Sequence, residues 1–314
     1  MHFFSVIVPT YNREKILDRC LNSLSNQDFD KKHYEIIVVN NNSPDGTEEV
    51  IRKYMNAYEN IRGIREVKQG ASNSRNRGAE EAYGEYLIFI DDDVVAPSEY
   101  LTNVVKVLSE DQPDIMGGPM YPYYTDTRPA WFRDEYEIRK YEEKSGFSRR
   151  CRVTGANFVI KKGVFKKVGM FPPELGPCGG KMNFADDAQV LDTYRDITPL
   201  GEQKVYYALE CSVMHHVPAE RMRFNYLMRR SFHLARSAVY ANALRGKSVG
   251  VLLTVSRGLA GIMLQLARGL VSRGPTRVDY IVLCRRFAYI LGILAGGVKA
   301  GVGGKNVTSC FLAV

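Results

Sequence analysis

The 314 residues include one tryptophan and six cysteines, at positions 20, 151, 178, 211, 284 and 310, with no CxxC pair among them. That spacing excludes a zinc ribbon or a dense disulfide framework and fits a reducing cytoplasm best. Residues 1–13 have no basic stretch ahead of their short apolar run, so a cleaved secretory leader is not expected. No GxGxxG follows the first apolar run, which argues against a dinucleotide cofactor. Gly246-Lys247-Ser248 imitates the end of a phosphate-binding loop, but Ala241 stands where its first glycine belongs. Asn306-Val307-Thr308 has the form of a glycosylation acceptor, useless to a cytoplasmic chain. Internal repeats and low-complexity segments are also missing.

What is present is a 45% hydrophobic chain, able to bury a substantial core in one large domain or in one domain with an appendage. Its charge is uneven. Residues 220–314 hold 15 Lys or Arg against Glu220 and Asp279, a net +13; the whole chain carries +8, so the first 219 residues carry −5. A basic tail on an acidic body points to an anionic partner.

The first hundred residues alternate strand-like and helix-like patterns, which implies βαβ units on a mainly parallel sheet. An apolar run at 4–8 stops at Pro9. Ile16, Cys20 and Leu24 then share a helical stripe. A second buried strand is expected at 36–39, followed by turn residues at 40–46, and a third near 64–67. Residues 70–83 read as loop and helix. Residues 86–90 read as a fourth strand running into Asp91-Asp92-Asp93. Ligands of such sheets sit at the carboxyl ends of the strands, so residues 9–13, 40–42 and 91–93 are expected to share one crevice. Residues 100–217 mix short elements with loops rich in Pro, Gly and Tyr. After Val217 the composition turns to Leu, Gly, Ala and Arg, and a domain boundary is placed there, separating 1–217 from a basic amphipathic helical region at 218–314. Three adjacent aspartates at a strand end are costly unless a cation lies between them, and Mg²⁺ or Mn²⁺ is commonly held by such carboxylates together with substrate phosphates.

Six segments then occur in a telling order: SVIVPTYNR, IIVVNNNSPDGT, GASNSRNRGAEEAYGEYLIFIDDD, TGANFVIKKGVFKKVGMF, DDAQVLDTYR and HHVPAER. Over roughly residues 5–236 the chain resembles the family 2 inverting glycosyltransferases of the GT-A fold, an α/β nucleotide-sugar-binding fold. The resemblance implies a nucleotide-binding half at 1–97 and an acceptor half at 98–217. It implies that Pro9, Thr10, Tyr11 and Arg13 line the nucleobase and ribose pocket and that Arg75 faces the nucleotide or its diphosphate. Asp91 and Asp92 would approach the donor, and Asp93 would bind the metal. Asp187 would be the base that takes the acceptor proton, with Asp186 beside it, and His215 would complete the metal site, imidazole and carboxylate suiting Mn²⁺ at least as well as Mg²⁺.

Two positions depart from the family pattern. Asn40 stands where an Asp usually hydrogen-bonds the base; an amide both donates and accepts, so a UDP-sugar stays the expected donor. Asp186-Asp187 replaces the usual Glu-Asp pair, with Ala185 before it in place of a common Gly, and keeps both carboxylates. Trp131 and Asn157 are candidates for the acceptor side, Trp131 by stacking on a sugar ring.

The expected reaction moves a sugar onto a hydroxyl of a lipid-linked or surface-glycan acceptor, as in polysaccharide biosynthesis. The alternatives are a nucleotidyltransferase or a non-catalytic sugar-nucleotide sensor. Nucleic acid is not an expected partner, because the tail interleaves arginine with Leu and Gly rather than with stacking aromatics. An anionic membrane surface is. Between Lys247 and Arg273 the apolar run is broken by Arg257 and Arg268, too short for the ~18 residues of a spanning helix. At ~100° per residue those arginines share one face, with Leu252, Ile262, Leu266 and Leu270 on others, as in a helix lying in the interface on the inner side of the membrane. Residues 287–298 form a second apolar stretch that can insert similarly or pack against the first.

Overall fold

The computed structural model describes residues 4–247 and 277–299, with 255, 256, 258, 259 and 262 between them. The chain divides into two compact units. The first comprises Met1–Thr125, Asp134–Gly179 and Asp186–Val217; the second comprises Asp126–Arg133, Gly180–Ala185 and Pro218–Val314.

In the first unit, β1 (Phe4–Thr10), β2 (Tyr34–Asn40), β3 (Ile61–Arg65) and β4 (Tyr86–Phe89) form a parallel block in the order β3-β2-β1-β4. β1 and β2 are buried along their whole length, and both read as nearly unbroken apolar runs because both faces of the sheet are covered. Alternate residues serve opposite faces. Val6 and Val8 join Leu17, Leu21 and Leu24 of α1 (Glu14–Ser25), whereas Ile7 joins Ile37, Val39 and Ala79 on the other side. Each such buried aliphatic side chain contributes roughly 1.5–3 kcal/mol. α3 (Ala71–Glu81) lies close on β1 because Gly78 has no side chain; a Cβ there would come within 2.5 Å of the Ile7 methyl group. Gly78→Ala would push this helix off the sheet.

Beyond β4 the sheet turns mixed. β9 (Phe158–Lys161) runs antiparallel between β4 and β6 (Ile115–Gly117), and β10 (Val205–Tyr207) and β8 (Gly146–Phe147) complete eight strands. A second sheet places β11 (Val213–His216) between β5 (Val94–Val95) and β7 (Met120–Tyr123). The strand order reverses at β1, with β2 on one side and β4 on the other, so the strand ends at Thr10 and Phe89 flank a topological switch point.

Two details correct the expectations. β1 continues through Pro9, which stays in register opposite Val39. The third strand is Ile61–Arg65 rather than 64–67, because the Asn41 side chain takes the Glu66 and Lys68 carbonyls for itself and leaves Val67 68% exposed. His215 and His216 are both strand residues of β11, since β7 pairs with both. The remaining helices of this unit are α2 (Thr47–Ala57), α4 (Tyr100–Glu110), α5 (Lys162–Val168) and α6 (Asp186–Ile197).

The second unit is built on α7 (Phe224–Leu244) and α8 (Arg277–Lys299), which meet around Ala235, Val239 and Ile293. Glycine makes that contact close: a Cβ at Gly292 would lie 2.0 Å from the Phe232 carbonyl oxygen. The interfacial helix expected within 252–270 lies mostly outside the described residues. The apolar stretch at 287–298 is part of α8. Among the described residues, Tyr280–Gly297 is one stretch long and apolar enough to cross a membrane by composition, with mean hydropathy 1.4.

Candidate active site

The three aspartates follow β4, where Ile90 still pairs with Ile7 and Val94 starts β5. Asp91 is part-exposed, while Asp92 and Asp93 are buried. Burial first, and the Asp93 charge second, push Asp92 up to about 7, while Arg13 and the Thr10 hydroxyl pull the other way. β11 runs antiparallel to β5 with His215 opposite Val94, and this register brings His215 Nε2 to 3.3 Å from Asp93 Oδ1. Asp93 and His215, both largely buried, are a carboxylate and an imidazole, donor types that suit Mn²⁺ or Mg²⁺ when substrate phosphates complete the coordination. Among the described residues no third His, Cys, Asp or Glu joins them in a closed protein cage.

The second acidic pair begins α6. Asp186 is buried; its Oδ2 accepts from Ser72 Oγ at 2.8 Å and from Arg75 Nη1 at 3.0 Å. The Arg75 guanidinium also donates from Nη2 to Asp91 Oδ1 at 2.6 Å, so one side chain ties the end of β4 to the start of α6. Burial acts to lower the Arg75 pKa, and the charges of Asp91 and Asp186 more than reverse it, leaving it raised. Asp187 differs from its neighbour. Gly155 N–H donates to its Oδ2 at 2.8 Å and Ala188 N–H to its Oδ1 at 2.6 Å. Both bonds favour the carboxylate, yet burial first and the Asp186 charge second push it up to about 6. A carboxyl group poised near neutrality suits proton abstraction better than an ordinary aspartate.

The remaining candidates divide. Pro9 and Thr10 end β1, with Tyr11 46% exposed beyond them; Arg13 caps α1, its N–H bonded to Thr47 Oγ1. Asn12 N–H donates to Ser43 Oγ, so the loops after β1 and β2 are stitched into one wall. Asn40 sits on that wall with its amide committed: Nδ2 donates to Glu48 Oε2 at 2.8 Å and Oδ1 accepts from Ser43 N–H at 2.9 Å. Asn157 is fully buried, donating to the Cys211 carbonyl at 2.8 Å and accepting from Tyr100 Oη at 2.8 Å. These bonds brace the strand framework. Trp131 belongs to the second unit, packed edge-on against Phe132.

Sequence reasoning passed over Ser72 and Gly176. A Cβ at Gly176 would come within 2.0 Å of Ser72 Oγ and 2.9 Å of Asp186 Oδ2, so the bare glycine makes room for the serine–carboxylate bond. The signal was available in GASNSRN: a serine three residues before Arg75 lies on the same face of a helix. Glu48, the partner of Asn40, was likewise missed.

A nucleotide-binding α/β sheet with acidic side chains gathered at its switch point, followed by a mixed extension that carries a second acidic pair, defines a glycosyltransferase of the GT-A fold. The model for glycosyl transferase family 2 matches residues 5–169, and the chain belongs to that family. A curated relative, the GalNAc(5)-diNAcBac-PP-undecaprenol beta-1,3-glucosyltransferase of Campylobacter jejuni, is 36% identical over 171 residues, 52% of this chain and 51% of that enzyme. Of the lengths of five curated relatives, the chain spans between 19% and 57%. Among solved structures, the mannosyltransferase PcManGT from Pyrobaculum calidifontis, in complex with GDP-Man and Mn2+, superimposes with a TM-score of 0.59 at 18% identity, covering 97% of this chain and 76% of that one. TarS 1-349 of S. aureus, in complex with UDP-GlcNAc, gives 0.56 at 20% identity, covering 95% and 92%. At these identities the structural likeness establishes the fold.

Proposed function

We propose that the chain transfers a sugar from a nucleotide-diphosphate sugar, a UDP-sugar in the first instance, to a hydroxyl of a lipid-linked or surface-glycan acceptor, with inversion at the anomeric carbon. The observation that carries this reading is Asp187. It stands at the head of α6, its two oxygens oriented by the N–H groups of Gly155 and Ala188, and it is pushed up to about 6 by burial and by Asp186. Asp187 takes the proton of the acceptor hydroxyl as that oxygen bonds to the anomeric carbon, and the bond from carbon to the diphosphate oxygen breaks on the opposite face. One base and one displacement give one inversion. Asp93 and His215 are the residues that would hold Mn²⁺ or Mg²⁺, which when bound neutralises the diphosphate leaving group. Arg75 and Ser72 keep Asp186 fixed, and through it the first turn of α6.

Several facts support the partners. TarS in the solved complex holds UDP-GlcNAc and PcManGT holds GDP-Man, so a fold of this kind accommodates either base. The Campylobacter relative is named for an undecaprenol-linked substrate. The net +13 of residues 220–314 and the apolar α8 support peripheral attachment to the inner face of a cell membrane.

The test is a transfer assay with UDP- and GDP-sugars, a polyprenol-diphosphate glycan acceptor, and Mn²⁺ or Mg²⁺. Release of free nucleoside diphosphate, and NMR assignment of the new linkage as inverted, are the expected results. A retained linkage, or release of pyrophosphate in place of nucleoside diphosphate, would overturn the reading.

A further inference from the structure

Every exposed residue of α8 between Tyr280 and Gly297 is apolar or a cysteine: Tyr280, Cys284, Phe287, Leu291 and Leu294. Their spacing is 4, 3, 4, 3, which lays them along a single stripe about 20 Å long at 1.5 Å per residue. A helix on the surface of a water-soluble unit turns polar residues outward. α8 does the reverse. Its buried side uses small residues for close approach, since Gly292 and Gly296, spaced as GxxxG, sit against the Phe232 carbonyl and the Val239 side chain of α7. Tyr280, Phe287, Leu291 and Leu294 point away from that contact, while Tyr289 and Ile293 pack into it. Small residues between helices and large apolar residues outward is the arrangement found in lipid, where no hydrophobic gain attends helix pairing.

We infer that α8 lies in the plane of an anionic bilayer surface with Tyr280, Cys284, Phe287, Leu291 and Leu294 sunk among the acyl chains. This rests on the membrane attachment proposed above and names the face responsible. Three observations choose lipid over other occupants. Residues 220–314 carry net +13, which anionic headgroups attract and a second copy with the same charge repels. Five side chains, most about half exposed, fall well short of the roughly 20–30 residues and ≈ 800 Å² that each partner contributes to a standard interface. Arg285 and Arg286 fall in the middle of the apolar stretch, where a spanning helix would bury both at the bilayer centre, whereas a helix lying flat keeps them at headgroup level.

The experiment uses the full chain. Flotation is measured with vesicles of phosphatidylcholine alone and with about one third phosphatidylglycerol, for wild type, for Phe287→Glu/Leu291→Glu, and for Leu200→Glu, a control at an exposed leucine of the first unit. Circular dichroism and donor hydrolysis confirm that each variant is folded. In parallel, a polarity-sensitive fluorophore is placed on Cys284, with Cys178 and Cys310 changed to serine. The expected results are wild-type binding that needs the anionic lipid, a loss of about tenfold or more in the double variant, no change in the control, and a blue shift of the Cys284 label on adding anionic vesicles. If wild type binds while the double variant binds equally well and the label does not shift, the assignment of this face is overturned and the membrane reading stands. If wild type ignores anionic vesicles, both fall. If the double variant floats normally but turns a sedimenting dimer into a monomer, the stripe is an interface between copies and the inference is overturned.

Discussion

The two acidic clusters of the first unit solve the same electrostatic problem differently. At the end of β4 three carboxylates crowd together, and at the head of α6 two do. Arg75 takes one carboxylate from each cluster, Asp91 and Asp186. What remains is Asp92 with Asp93 near His215 in the first cluster, and Asp187 held by backbone N–H groups in the second. Adjacent aspartates are therefore not interchangeable: one of each set is spent on the ion pair with Arg75, and the others are held by different partners.

Removing the shared member has the largest expected effect. Arg75→Ala leaves Asp91 and Asp186 without their common counter-charge in a buried setting, and loss of one partner of such a network costs about 3–5 kcal/mol. Thermal or urea unfolding should show the loss, and no donor binding should survive it. Arg75→Lys keeps the charge but not the fork and should recover only part of it. Wild-type stability in Arg75→Ala would show that the two clusters are independent.

Next in size is the contrast within the second pair. Asp187→Asn should leave donor binding nearly intact and lower kcat by ~10² or more, the lower range for lost acid-base catalysis. Asp186→Asn should act mainly on stability. The pH profile carries the same distinction. The group that must be ionised has a pKa of about 6, so kcat/KM should fall as pH drops through 6 and level off above about 7. Stability has the opposite sign: the native state disfavours the ionised form, so this group's contribution is fully present below about pH 4, the ordinary aspartate value, and is lost as pH rises through about 6. An activity profile flat down to about pH 5 would remove Asp187 from the role of base.

The first cluster should respond to metal instead. Asp93→Ala, and more weakly His215→Ala, should abolish the extra thermal stabilisation that Mn²⁺ adds to a nucleoside diphosphate, a loss of at least about tenfold in apparent metal affinity. Asp187→Asn should keep it. If Asp93→Ala binds metal and nucleotide like wild type, the pairing of Asp93 with His215 is structural.

Much of this is readable in the residues. Strand ends near 40 and 90 follow from apolar runs that stop at turn chemistry, and the convergence of strand ends follows from parallel topology. What is not readable is pairing at long range. Nothing in the local pattern says that the Asn41 amide will claim the carbonyls of Glu66 and Lys68 and shorten β3, or that the face shared by Ser72 and Arg75 will meet Asp186, 114 positions from Ser72. Asn157 is a candidate for the acceptor side on resemblance alone. It is a strut because Tyr100 and the Cys211 carbonyl come to it from remote segments. For His215 the sequence offers a resemblance and no mechanism; the register of β11 against β5 supplies the physical reason for its approach to Asp93.

The smallest effect comes at the departure from the family pattern. Asn40 donates to Glu48 at 2.8 Å, and an aspartate in its place would set two carboxylates against each other at that distance. The residue at 40 and the residue at 48 are therefore coupled, and the amide is what the glutamate requires. Asn40→Asp should destabilise the chain by about 1 kcal/mol, the modest value reflecting that Glu48 is 42% exposed and its charge is screened. Glu48→Gln alone should be nearly neutral, because Asn40 can still donate to the new amide oxygen. The double variant, Asn40→Asp with Glu48→Gln, should recover most of the loss, since the introduced amide can turn to donate to the introduced carboxylate. A double-mutant cycle read by urea unfolding should then give a coupling of about 1 kcal/mol. The double variant should also recover nucleotide binding if Asn40 lies on the base pocket wall, and the preference between UDP and GDP in each variant reports that directly. Additive effects of the two changes would mean that the glutamate swings away into solvent, and that Asn40 owes its identity to something other than Glu48.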